Sequence, residues 1–180
     1  ENQTPKDKVS IKLIIKAGSI MEDENQLGLA HLLEHMAFNG SKNFPKRKID
    51  EYMSSIGLNI GSHYNASVGF LKTNYVYEIP TNNDDDVEVA LKILTDISKN
   101  LSLEPEAFER ERKIVEEEWR TDIGGSKNYI NEFHKVMFKN SRFNERKPIG
   151  TLDIIQNFEY QDAIDYYKKW YRPQLMGLFV

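Results

Sequence analysis

His31, Glu34 and His35 lie together in the stretch GLAHLLEHMAFNG, residues 28 to 40, with the imidazoles four apart and the carboxylate just before the second. On a helix successive residues turn by roughly 100°, so these three side chains share one stripe about 100° wide, with Phe38 among them. Leu29, Leu32, Leu33 and Met36 share the opposite face. Such a helix offers one stripe to a core and keeps a second for chemistry. Imidazoles at i and i+4 can converge on one metal ion, and a carboxylate at i+3 sits beside it without having to ligate. A divalent ion lowers the pKa of its bound water towards about 7, and a neighbouring carboxylate can take the proton as that water attacks a carbonyl. The pattern alone arises by chance in roughly one sequence in a hundred, so it needs support from elsewhere in the chain.

Catalytic zinc often uses two histidines and one glutamate with an open position for water, and the third ligand can come from far along the chain. EPEAFERERKIVEEEWR, residues 104 to 120, is the natural place to look. On a helix, Phe108, Val115 and Trp119 mark its buried face. Glu104 and Glu111 lie on that side, where a carboxylate is costly unless paired or metal-bound. Glu118 lies there too, so helical phase does not select among the three. Most other charged residues of this run read as a solvated face with i,i+4 pairs.

These residues need elements to hold them. At 180 residues, with 39% hydrophobic and 29% charged residues, the expectation is one globular domain with a real core. A net charge of -4 with both signs interspersed argues against a nucleic-acid or anionic-membrane partner. The absence of cysteine excludes disulfides and thiolate metal sites, leaving His, Asp and Glu as ligands. No apolar run reaches the roughly 18 residues of a membrane span.

Alternation from Val9 to Ala17 predicts a strand ended by Gly18-Ser19. Helices are expected from Gly28 to about Phe38 and from Pro45 to Gly57, then strands at about 58 to 68 and 70 to 79. TNNDDD, residues 81 to 86, offers N-caps for a helix from Val87 to Leu101, and Pro105 opens another to about Thr121. Gly124-Gly125 separates this from a helix near 127 to 139. A loop with Pro148-Ile149-Gly150 and a short turn follow, then a helix from about 160 to 171 and an apolar strand ending at Val180. The arrangement predicts an α+β fold, a largely antiparallel sheet with helices packed on one face.

Taken with its flanks, the sequence resembles the pitrilysin/insulinase family of zinc metallopeptidases, whose inverted His-x-x-Glu-His motif matches residues 31 to 35. KAGSIMEDENQLGLAHLLEHMAFNGS, GLNIGSHYNAS, ERERKIVEEEWR, PIG and KKWYRP follow in the family's order, so the resemblance covers nearly the whole chain. It runs to the large bacterial zinc proteases, and it implies a truncated half of the metalloprotease architecture typified by LuxS and the mitochondrial processing peptidase. It also implies a zinc endopeptidase with His31, His35 and Glu111 as ligands to one Zn2+ and Glu34 as the base that activates the zinc-bound water. Glu104 is expected to support the ligand shell. Asn65 and Ala66, with Phe38, are expected to line the cleft where an extended peptide adds as a strand. His63 and His134 have no ligand role in this reading and are expected to be surface or structural histidines.

By the same resemblance, residues 1–180 are the N-terminal zinc-binding domain of a larger polypeptide, lacking a first strand before Glu1 and further domains that close over a peptide or small-protein substrate. The implied location is the periplasm, with the cytoplasm as the alternative. The competing function is a non-catalytic relative that binds peptides or acts as a scaffold. Such relatives typically lose ligand or base residues, and this chain keeps them.

Overall fold

A computed structural model of the chain describes residue 4, residues 6–122 and residues 126–180. The Gly124-Gly125 separator lies outside the described residues. Among the described residues four strands form an antiparallel sheet in the order β2-β3-β1-β4, with β1 at Lys8–Ile15, β2 at Tyr64–Val68, β3 at Thr73–Pro80 and β4 at Met176–Phe179. The alternation read from the sequence sets the pleat. Ile11, Leu13 and Ile15 of β1 point into the core, and β3 presents Thr73, Tyr75, Tyr77 and Ile79 to the same side. The register puts Ile11 opposite Tyr77 and Leu13 opposite Tyr75, so aromatic and aliphatic side chains pair across the two central strands.

The helices are α1 (Leu29–Met36), α2 (Lys48–Ser55), α3 (Asp84–Lys99), α4 (Pro105–Asp122), α5 (Ser126–Met137), α6 (Arg142–Glu145), α7 (Leu152–Asn157) and α8 (Tyr160–Trp170). α1 packs against β2, α8 and α4, while α3 packs on β1 and β3. Leu29, Leu32, Leu33 and Met36 are all buried, so the apolar stripe of α1 faces the core as its spacing predicted. α3 starts at Asp84 rather than Val87. Asn83 caps it through its side chain, and Asp84, Asp85 and Asp86 sit in its first turn, where the helix dipole favours negative charge.

The structure departs from expectation around the sheet edge and in the short elements. The strand expected over 58–68 is regular only from Tyr64, because Gly57 and Gly61 take positive φ and turn the chain before it. α2 begins at Lys48 and not at Pro45, since Lys46 has φ 54 and breaks the helical path. α6 and α7 stand where a loop and a turn were expected; helices of four and six residues are too short to show a period.

Candidate metal centre

α1 and α4 cross with the two-stripe helix presenting its polar side to the middle and end of α4. The rings of His31 and His35 meet edge to face, 4.8 Å apart between centroids. Glu118 of α4 faces both, with Oε2 3.5 Å from Nε2 of His31 and 3.6 Å from Nε2 of His35. One donor atom from each of these three residues lies within 4.8 Å of the other two. Around an ion at bond lengths of about 2.0–2.1 Å, tetrahedral ligands are separated by roughly 3.3 Å, so the donor set fits a zinc-sized ion with little movement.

Glu111, expected as the distal ligand, is placed differently. It is buried, and its Oε2 lies 3.3 Å from Nδ1 of His35, the ring nitrogen opposite the one that faces Glu118. An imidazole cannot aim both nitrogens at one ion. A proton on Nδ1 directed to Glu111 leaves the Nε2 lone pair for a metal, the arrangement by which a carboxylate orients a histidine ligand. Burial would raise the Glu111 carboxyl, but hydrogen bonds from His35 and Asn39 and the charge of Arg110 outweigh it and hold it below the usual range. His35 is in turn held above its ordinary value: burial opposes this, and the hydrogen bond to Glu111 with the charges of Glu34, Glu118 and Glu111 prevails.

Glu34 is buried beside the pair, its Oε2 3.9 Å from Nε2 of His31. Burial pushes its carboxyl up to about 7, His35 opposes this, and the charge of Glu118 adds to it. A carboxylate of that basicity can exchange protons at neutral pH. Glu104, expected to support the ligand shell, stands exposed at the head of α4, where its carbonyl accepts from Phe108 N. The carboxylate of α4 that reaches Nδ1 of a motif histidine is Glu111. Asn39 was not singled out from the sequence, yet it links the parts: its Nδ2 donates to the His35 carbonyl, and its Oδ1 accepts from Arg110 at 2.6 Å. Its only sequence signal is its place directly after the motif helix.

Phe38 and Asn39 line a cavity of about 1080 Å³ with Asp50, Arg110 and Glu111, and Phe38 packs 6.1 Å from the Tyr64 ring at the start of β2. Asn65 and Ala66 lie on β2, whose strand partner is β3; on its other edge Tyr64 bridges Ile60, and from Asn65 onward no strand pairs with that edge among the described residues. The His63 carbonyl accepts from Glu78 N, so by antiparallel alternation Ala66 turns its N–H and C=O to the open edge. That N–H is met by Oδ1 of Asn65 at 2.9 Å. His63 lies away from the metal group, its Nδ1 accepting from Asn59 N, and His134 sits among Phe70, Phe133 and Phe138.

The sequence profile of the insulinase family, peptidase family M16, matches residues 1–156. A probable zinc protease, PqqL of Haemophilus influenzae, is 36% identical over 180 residues, all of this chain and 19% of that protein. The crystal structure of the periplasmic protease PqqL from Escherichia coli superposes with a TM-score of 0.93 at 32% identity, covering 97% of this chain and 19% of that one. The ferredoxin protease FusC, solved in complex with Arabidopsis ferredoxin, superposes with a TM-score of 0.88 at 31% identity, over 98% of this chain and 19% of that one. The chain thus spans about a fifth of the length of these relatives.

Proposed function

Because the chain belongs to the insulinase family of peptidases, we propose that it is the metal-bearing part of a zinc endopeptidase in which His31, His35 and Glu118 hold the ion. The observation that carries this reading is the convergence of Glu118 on the Nε2 atoms of both histidines, while Glu111 occupies Nδ1 of His35. A zinc ion held there would supply Lewis-acid polarisation of a scissile carbonyl and acidify a water. Glu34 accepts a proton at its carboxylate and returns it to the leaving amine, a task suited to a group whose carboxyl is pushed up to about 7. Glu111 fixes the tautomer and ring orientation of His35. An extended substrate segment aligns on the open edge of β2, where the Ala66 N–H exchanges Asn65 Oδ1 for a substrate carbonyl.

The substrate is a peptide or small protein, in keeping with the ferredoxin bound by one relative. The location is the periplasm, in keeping with the relative from Escherichia coli. Further domains of a longer polypeptide complete the cleft, so the 180-residue chain by itself holds zinc but hydrolyses peptides poorly.

Zinc titration of the wild type, Glu118→Gln and Glu111→Gln, followed by calorimetry, tests the assignment. The wild type should hold about one ion per chain, Glu118→Gln should lose most of the affinity, and Glu111→Gln should weaken it about 10–100-fold. Unchanged affinity in Glu118→Gln, with binding abolished in Glu111→Gln, would reverse the two roles. A wild type that holds no zinc would remove the peptidase reading.

A further inference from the structure

The site depends on where the first turns of α1 point, because His31 lies in the first and Glu34 in the next. α1 begins without a cap of its own. Its N-cap residue, Gly28, has φ 98 and no side chain to accept from the first N–H groups. The acceptor comes from outside the helix. Glu22, 0% exposed, accepts from Gly28 N at 3.1 Å through Oε2 and from Ala30 N at 2.9 Å through Oε1.

The main chain of Glu22 is itself held. Its carbonyl accepts from Nε of Arg146 at 3.1 Å and from Nη2 of Arg142 at 2.7 Å. Ser19 Oγ donates to the Arg146 carbonyl at 2.5 Å, tying the same segment a second time. Arg146 is only 2% exposed, so this guanidinium is built into the interior. A connection therefore runs from α6 through Glu22 to the start of the helix bearing the motif.

We propose that Glu22 is a positioning residue for the zinc site: its two carboxylate oxygens, clamped through its main chain by Arg142 and Arg146, set the first turn of α1 and with it the directions of His31 and Glu34. The inference rests on the zinc reading above. It requires a carboxylate and not just a polar group. A carboxamide offers one acceptor and one donor, so in Glu22→Gln an NH2 would confront a backbone N–H.

The test compares zinc affinity, the visible absorption spectrum of the Co2+-loaded chain and thermal stability for the wild type, Glu22→Gln and Arg142→Ala. Burial pushes the Glu22 carboxyl up to about 8 against the pull of the N–H groups and Arg146, so at about pH 8.5 the greater part of the cap is anionic. Glu22→Gln, folded by circular dichroism, should bind zinc about tenfold or more weakly and show shifted Co2+ bands. Arg142 is exposed, and its removal leaves Arg146 in place, so Arg142→Ala should fold and show a smaller loss in the same direction. Reduced thermal stability with unchanged affinity and unchanged Co2+ bands in Glu22→Gln would overturn the proposal. If Glu22→Gln does not fold, Arg142→Ala decides, and an affinity and spectrum equal to wild type overturn it. A wild type without zinc affinity would instead sink the metal reading beneath it.

Discussion

At the scale of the residue, the site turns on which carboxylate meets which ring nitrogen. Glu111 and Glu118 are seven apart, two turns of helix, so they share a face but stand roughly 10 Å apart along its axis. Helical phase cannot separate them; the crossing point of α1 on α4 can, and that is set by packing between elements distant in sequence. The histidines and Glu34 were legible because their whole pattern lies within one helix. Glu34 also carries a pH prediction. In the metal-free fold its carboxyl sits at about 7 against 4.5 when free. The folded state binds that proton more tightly, so the stabilisation is whole below about pH 4.5 and is lost as pH rises through about 7. Between about pH 5 and pH 8, wild type in chelator should lose on the order of 2 kcal/mol more stability than Glu34→Gln in urea unfolding. Glu22, raised by burial in both proteins, adds to each slope and cancels in the difference.

At the scale of the element, α1 is held at its far end too. Asp96 of α3 is buried and accepts from Ser41 Oγ at 2.7 Å, Asn43 N at 2.8 Å, and the side chains of Asn43 and Asn100 at 2.9 Å. The turn that leaves the motif helix is thereby fastened to α3. Burial raises the Asp96 carboxyl, these hydrogen bonds overcome that, and the net value lies below 3.8. Its contribution is present above that value and is lost as pH falls through the lower folded one. Asp96→Asn should cost about 1–3 kcal/mol at neutral pH and remove part of the acid sensitivity, read as thermal midpoints across pH. The helices and strands themselves were legible from period and caps. α6 and α7 were not, since single turns carry no period, and the fastening role of Asp96 was hidden because the residues it fastens, Ser41 and Asn43, are 55 and 53 residues away.

At the scale of the whole molecule, the sheet ends in two edges, β2 and β4, and the metal group lies on the β2 side, next to α1. The α+β class and the antiparallel sheet followed from strand alternation and from the hairpin-like link between β2 and β3. The strand order did not, because β4 joins β1 from the opposite end of the chain. If the open edge of β2 carries substrate, Ala66→Pro removes the outward N–H while sparing the bonds to β3. With the proposed completing domains present, this should raise KM about tenfold with zinc affinity unchanged. An equal KM would move substrate binding away from that edge.

Gly150 packs on the start of α1 so closely that an added Cβ would lie 2.4 Å from the Leu27 carbonyl oxygen and 2.6 Å from Gly28 Cα. That contact, with the Arg142 and Arg146 clamp, comes from chain made long after the motif helix. During synthesis, at about 5–20 residues per second, the helix waits several seconds before the segment that seats it exists. For that interval α1 lacks the α8 helix that packs against it. The proposed zinc site is therefore assembled late, once this clamp has closed on the start of the helix.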